Sequence, residues 1–196
     1  MLTDSTGFSG PDLRVIAGEA KGRKLQSLPG LDVRPSSDRL KEALFSILGP
    51  NIPGALVLDL YAGSGALGIE ALSRGATGVT FVEVDRRAVA MIERNLASTG
   101  LAEGATIENS TAEAFACGRS AKPFDIVLID PPYQVGLPSD VLVCLAEGGF
   151  INPDSTIVVE GSRRKLPAEA PVGFISTSQK RYADSVLCFL QMERGH

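Results

Sequence analysis

The sequence predicts an α/β domain organised around a glycine-rich turn. An apolar run, Leu56 to Leu60, passes through Gly63, Gly65 and Gly68 into a segment with Leu67, Ala71 and Leu72 at helical spacing. This is the pattern of the first strand, turn and helix of a βαβ unit. Downstream, apolar or β-branched runs alternate with amphipathic stretches as far as Glu160, the pattern of an open α/β sheet. The chain has 196 residues, 44% hydrophobic and 21% charged, enough for one such domain with a full core.

Residues 1–12 are polar and contain glycine and proline, so a loose tail is expected, with neither the basic nor the apolar region of a secretory signal. No run of about 18 apolar residues occurs, and no membrane span is expected. Leu13 to Ala17 and Arg23 to Leu25 flank a Gly18 to Gly22 turn region, which predicts a small basic hairpin, poor in core material and suited to contacting RNA. Arg34-Pro35-Ser36-Ser37 then breaks the chain, and Ser37 or Asp38 can cap a helix whose buried face is Leu40, Ala43, Leu44, Ile47 and Leu48. Pro50 and Pro53 end that helix. The division expected is a tail (1–12), a basic extension (13–36) and a main domain (37–196).

The turn Gly63-Ser64-Gly65-Ala66-Leu67-Gly68 lets backbone N–H groups approach a ligand at the start of a helix, where the partial positive charge favours an anion or a polar group. Asp59, just before it, would repel a pyrophosphate and suit an ammonium. S-adenosylmethionine carries an ammonium group and NAD does not. Asp59, Tyr61, Ala62, Gly63, Ser64, Gly65 and Gly68 are the candidate contacts to that cofactor from this turn.

Val79 to Val84 reads as the second strand and Arg86 to Thr99 as a helix with Val89, Ile92 and Leu96 inward. Asp85 is placed to cap that helix. Glu83 lies 18 residues beyond Gly65, near the spacing at which an acid meets the ribose hydroxyls of a nucleoside cofactor, with Val84 beside it. A third strand, Ala105 to Glu108, leads to Ser110, Thr111 and Ala112; beyond the carboxyl end of a strand, Thr111 and Ala112 should border the adenine. Phe124 to Ile129 is the fourth strand, Pro138 to Leu145 a helix, and Ser155 to Val159 a fifth strand ending at Glu160. Val172 to Ser178 with Ser185 to Met192 reads as a closing hairpin whose turn region holds Lys180, Arg181 and Tyr182.

The fourth strand runs directly into Asp130-Pro131-Pro132-Tyr133. The two prolines stiffen the backbone and remove N–H donors, so the Asp130 carboxylate and the Asp130 and Pro131 carbonyls form a rigid acceptor set beside an aromatic ring. Such a site fits a planar amine, with its N–H groups held by acceptors and its ring stacked on Tyr133. His196 is the only histidine, which argues against a histidine base or a histidine-bound metal. Cys117, Cys144 and Cys188 show no paired spacing and read as inert thiols in a reducing cytoplasm.

The net charge of −4 and pI near 5.1 hide an asymmetry. Between Arg14 and Lys41 stand seven basic residues, Arg14, Lys21, Arg23, Lys24, Arg34, Arg39 and Lys41, against Glu19, Asp32 and Asp38, a local excess of +4. Further clusters lie at Arg163, Arg164 and Lys165 and at Lys180 and Arg181. Basic patches on an acidic body suit a polyanion.

With these motifs in place, the chain resembles the class I S-adenosylmethionine-dependent methyltransferases that modify amino groups, with their (N/D)PP(Y/F) signature. More narrowly it resembles the RsmD family of bacterial 16S ribosomal RNA guanine-N2 methyltransferases. The match runs through RVIAG with KGRKL, RPSSDRLKEALFSIL, VLDLYAGSGALGIEALSRGA, FVEVD and DPPY, in that order. Thr111, where many methyltransferases place an acid, and Ala183, where glycine is expected after Tyr182, are departures. The resemblance implies a Rossmann-like, seven-stranded, mostly parallel sheet with the last strand antiparallel, helices on both faces and a small N-terminal β-hairpin extension that binds RNA. It also implies a cytoplasmic enzyme of rRNA processing, S-adenosylhomocysteine as product, no metal, and as partner 16S rRNA within a partly or fully assembled small ribosomal subunit. Nothing in it demands more than a monomer. Three rivals share some of these features: an adenine-N6 DNA methyltransferase, a dinucleotide-dependent oxidoreductase, and an RNA-binding module without catalysis. Asp59 disfavours the second, and the length leaves a DNA enzyme no obvious target-recognition domain.

Overall fold

The computed structural model describes residues 13–27, 37–132, 138–162 and 170–194. The tail 1–12, Arg34, Tyr133 and the cluster Arg163, Arg164 and Lys165 lie outside them.

Seven strands form one sheet in the order β3-β2-β1-β4-β5-β7-β6. They are β1 (Leu56–Leu60), β2 (Gly78–Val82), β3 (Ala105–Glu108), β4 (Ile126–Ile129), β5 (Thr156–Ser162), β6 (Phe174–Tyr182) and β7 (Ser185–Met192). The strands from β3 to β5 pair in parallel, whereas β7 is antiparallel to both neighbours. The helices are α1 (Ser37–Leu48), α2 (Ala66–Ser73), α3 (Arg86–Thr99), α4 (Ala112–Ala116) and α5 (Ser139–Glu147). Among the described residues, no helix is long and apolar enough to cross a membrane.

Strand alternation sends side chains to two cores. Val57, Phe81, Ile126, Leu128 and Val158 pack with Leu44 and Phe45 of α1, Ile69 and Leu72 of α2, and Ile92 and Leu96 of α3. Leu58, Leu60, Val127, Ile129 and Val159 pack with Ala112 and Ala116 of α4 and Val141, Leu142 and Leu145 of α5. The central strands are buried on both faces, which is why they read as continuous apolar runs. Each fully buried Leu, Ile or Val contributes about 1.5–3 kcal/mol.

Several expectations need correction. The N-terminal hairpin closes through one antiparallel bridge, Arg14 to Lys24, and far from being poor core material it puts Leu13, Val15, Ala20 and Leu25 into the first core. In α1, Ile47 is 40% exposed, and Lys41 and Phe45 are buried with Leu40, Leu44 and Leu48. The helix is rolled so that Lys41 Nζ can reach the Arg14 carbonyl (2.5 Å) and the Glu70 carboxylate (3.7 Å), with the Phe45 ring under the Arg74 guanidinium at 5.1 Å. β2 stops at Val82, leaving Val84 61% exposed, because the Glu83 carboxylate folds back to bond backbone N–H groups. β4 starts at Ile126, since the carboxylate of Asp125 accepts from Leu56 N at 2.7 Å. β6 continues to Tyr182, so Lys180 and Arg181 stand on a strand and Ala183-Asp184 makes the turn. Ala183 has φ 50°, the left-handed conformation for which glycine is the usual choice.

Candidate active site

The turn after β1 is held from three sides. From β1 itself, buried Asp59 accepts from the Gly68 N–H at 2.8 Å. From the end of β2, Glu83 accepts from Gly63 N at 2.8 Å through one oxygen and from Asp85 N at 2.8 Å through the other. From α3, Asn95 Nδ2 donates to the Ser64 carbonyl at 2.9 Å. Gly65 is the residue at the start of α2, with φ 76°. A Cβ on Gly68 would sit 2.3 Å from the Phe81 ring, so only glycine lets α2 lie this close to β2.

Electrostatics at this turn favour an incoming cation. Burial pushes the Asp59 carboxyl up to about 8, against the pull of the Gly68 N–H, and the nearby Asp130 and Glu83 charges push it the same way. An ammonium placed there would reverse that shift. Tyr61 has φ 67° and its hydroxyl donates to Glu113 Oε1 at 3.3 Å; burial and the Glu113 charge raise its phenol to about 12. A tyrosine held in the left-handed region costs on the order of 1 kcal/mol or more, strain of the kind found at functional turns. Ala62 is buried and continues the turn, its N–H reaching the Val82 carbonyl at 3.0 Å.

Asp85 caps α3, accepting from Arg87 N at 2.8 Å, and the Arg87 guanidinium holds its carboxyl down to about 2. Thr111 caps α4, its hydroxyl accepting from Ala114 N at 3.1 Å, and Ala112 is buried behind it. The departure at Thr111 thus has a structural use, while an acid, Glu113, stands two residues further on.

Asp130, Pro131 and Pro132 follow β4, which pairs directly with β1 in the register Leu60 with Ile129. The acceptor set therefore starts beside Tyr61, on the strand next to the glycine turn, with Asp130 exposed and Pro131 buried. Among the described residues, no group of three or more His, Cys, Asp or Glu side chains could hold a metal ion.

Of the basic candidates, Arg14, Lys21, Arg23 and Lys24 share the N-terminal hairpin and are all exposed above its buried apolar residues. Arg39 is exposed on the first turn of α1. Lys180 and Arg181 are exposed on β6, the edge strand of the sheet.

Four contributors escaped the sequence expectations. Asn95 is 1% exposed on α3; its place three residues after Ile92, on the apolar face, was the available signal. Asn109 Nδ2 donates to the Glu83 and Val84 carbonyls at 2.9 and 3.1 Å, fixing the end of β2. Glu113 and Asp125 act through the Tyr61 hydroxyl and the Leu56 N–H and had no sequence signal.

A doubly wound sheet of this strand order, with a glycine turn after β1 and an Asp-Pro-Pro after β4, is the class I methyltransferase fold. A solved structure, the putative methyltransferase yhhF from Escherichia coli, matches with a TM-score of 0.82 at 34% identity, over 94% of this chain and 99% of that one. The 16S rRNA N2 G1207 methyltransferase (RsmC) of T. thermophilus, in complex with AdoMet and guanosine, matches with a TM-score of 0.68 at 26% identity, over 87% of this chain and 47% of that one. Ribosomal RNA small subunit methyltransferase D of Escherichia coli (strain K12) is 41% identical over 148 residues, 76% of this chain and 74% of that protein. The family model described as conserved hypothetical protein 95 matches residues 13–191, and the chain belongs to this family, the RsmD family of methyltransferases.

Proposed function

We propose that the protein transfers a methyl group from S-adenosylmethionine to the exocyclic N2 of a guanine in 16S rRNA of the small ribosomal subunit. The observation that carries this is the side-by-side placement of the two halves of the site. The glycine turn after β1 and the Asp130-Pro131-Pro132 acceptors after β4 leave adjacent, paired strands. A cofactor seated on the first would face a base held by the second.

The residues present fit the cofactor. Asp59 provides a buried carboxyl that gives up its proton when an ammonium is placed beside it, and Glu83 keeps lone pairs for ribose hydroxyls beyond the two N–H groups it accepts from. Gly63, Ser64, Gly65 and Gly68 leave the backbone open to close approach, with Tyr61, Ala62, Val84, Thr111 and Ala112 around them. When bound, S-adenosylmethionine supplies an activated sulfonium methyl, and this chain supplies position and electrostatics. The Asp130 carboxylate and Pro131 carbonyl accept the N2 hydrogens, localising the nitrogen lone pair towards the methyl. Flipping the guanine out of its stack costs a few kcal/mol, and stacking on Tyr133 would offset part of that cost.

The substrate side is read from charge. Exposed Arg14, Lys21, Arg23, Lys24 and Arg39, with Lys180 and Arg181 on β6, provide cations for phosphates, and Arg34, Arg163 and Arg164 extend the set in sequence. Residues 13–36 would serve as the RNA-binding extension of a monomeric, cytoplasmic enzyme acting on RNA already carrying ribosomal proteins. The test is transfer of tritiated methyl from S-adenosylmethionine to small subunits from a strain lacking this gene, with deproteinised 16S RNA and adenine-containing DNA duplexes alongside. N2-methylguanine recovered from the subunits is the expected product. Label in DNA adenine would overturn the substrate, and cofactor binding without transfer to any of them would overturn the activity.

A further inference from the structure

The N-terminal segment meets the glycine turn through one buried amide. Asn95, in the middle of α3 and 1% exposed, accepts from Gln26 N through Oδ1 at 2.8 Å. Its Nδ2 donates to the Gln26 carbonyl at 3.0 Å and to the Ser64 carbonyl at 2.9 Å. Both amide hydrogens are thus spent, one on each of two segments 38 residues apart in the chain. Ser64 lies between Gly63 and Gly65, so the orientation of its carbonyl sets the plane of the next peptide and the aim of the Gly65 N–H, which reaches the Ala62 carbonyl at 2.8 Å. Gln26 stands two residues after Lys24 and three after Arg23, both exposed.

The other end of the segment is tied to α2, the helix that begins at the same turn. Ile16 N and Ala17 N donate to the Glu70 carboxylate at 2.7 and 3.0 Å, and Ala20 N donates to the Ser73 hydroxyl at 3.0 Å. The segment is therefore held by α2 near its start and by α3 near its end. Only the α3 tie also grips the turn.

We propose that Asn95 is a positioning residue that couples RNA engagement by the 13–27 segment to the shape of the cofactor turn, so that each ligand tightens the other. This rests on the methyltransferase reading above. Phosphates pulling on Arg23 and Lys24 load the Gln26 peptide, and Asn95 passes that load to the Ser64 peptide. Coupling between two sites must be reciprocal, so the cofactor also organises the RNA-binding segment.

The test is a linkage measurement. The affinity of tritiated S-adenosylhomocysteine is measured by equilibrium dialysis with and without saturating small ribosomal subunits that lack the methyl mark. The wild-type chain is expected to bind the cofactor product at least about 5-fold more tightly with subunits present, the lower end of ordinary allosteric coupling. In Asn95→Ala and in the milder Asn95→Ser that ratio should fall to within about 2-fold of one. A merely structural role would weaken cofactor binding in both arms and leave the ratio where it was, which would overturn the proposal, as would a wild-type ratio of one. Hydrogen exchange on the wild-type chain needs no variant: S-adenosylhomocysteine should slow exchange of the Gln26 amide, and unchanged exchange there also overturns it. Methyl transfer to the same subunits separates the two ways of failing. Transfer with equal ratios in wild type and variants removes the coupling and leaves the reaction, whereas no transfer by the wild type removes both.

Discussion

Asp59 shows how one carboxyl can shape both stability and ligand binding. Its folded value of about 8 lies above the ordinary 3.8, so between those pH values the folded chain holds a proton that the unfolded chain has released. The stabilisation from this group is complete below about pH 4 and drains away as the pH rises through 8, at up to about 1.4 kcal/mol per pH unit. Asp59→Asn has no such group, so its stability relative to wild type should improve steadily from pH 5 to 8 in thermal melts, while its affinity for S-adenosylmethionine falls about tenfold or more. Parallel stability curves would show that Asp59 is ionised in the folded chain. Asp130 makes the complementary case for chemistry. Asp130→Ala should lower turnover by about 10²-fold or more, the scale of losing a positioned acceptor in the transition state, with S-adenosylhomocysteine affinity close to wild type. Turnover near normal would remove Asp130 from the site. Legibility at this scale followed whether a role was local. The Asp85 cap could be read from two neighbouring residues, as could the glycines. Asn95 could be read as buried from its place on the apolar face of α3 but not given a role, because its partners, Gln26 and Ser64, are 69 and 31 residues away.

At the scale of elements, strands β1 and β3 and helix α3 fall where periodicity puts them, because each is a run of ordinary propensity ended by turn residues. The misjudged elements are those governed by long-range polar contacts. The N-terminal hairpin looked like a free arm since its glycines and cations dominate the composition. In the folded chain its backbone N–H groups are taken up by Glu70 and Ser73, and Gly18 passes so close to α2 that a Cβ would lie 1.7 Å from the Ser73 carbonyl oxygen. The same Glu70, fully buried, receives Arg74 Nε at 2.7 Å and faces Lys41 at 3.7 Å, joining the hairpin, α1 and α2 at one carboxylate. Removing it takes the counter-charge from a buried ammonium that keeps the Arg14 carbonyl, and leaves the Ile16 and Ala17 N–H groups without their acceptor. Glu70→Ala should therefore cost about 3–5 kcal/mol in urea denaturation, with Glu70→Gln milder because it still accepts from the backbone. A loss under about 1 kcal/mol would mean that Lys41 reaches water when its partner is gone, and that the hairpin is fastened mainly by Leu13, Val15, Ala20 and Leu25.

At the scale of the whole molecule, the order β3-β2-β1-β4 places the carboxyl ends of β1 and β4 side by side, so that two motifs about 70 residues apart in sequence share the carboxyl end of the sheet. Nothing in the local pattern encodes that adjacency; it follows from right-handed crossovers around a parallel sheet, and the ordered motifs made it legible only through family resemblance. Charge is distributed in the same divided way. A body of net charge −4 repels RNA on average, so association has to be oriented by its few basic patches. The hairpin patch is built for this, since Leu13, Val15, Ala20 and Leu25 anchor it in the core and leave Arg14, Lys21, Arg23 and Lys24 exposed together. If Lys21 and Arg23 each meet one phosphate, replacing both with Ala should flatten the dependence of log affinity on log salt by about 1.4–1.8, since each contact contributes roughly 0.7–0.9. Cofactor affinity measured without RNA should stay at the wild-type value, because neither side chain reaches the glycine turn. An unchanged salt slope in subunit-binding titrations would place the phosphate contacts on another patch, with Lys180 and Arg181 of the β6 edge the next pair to replace.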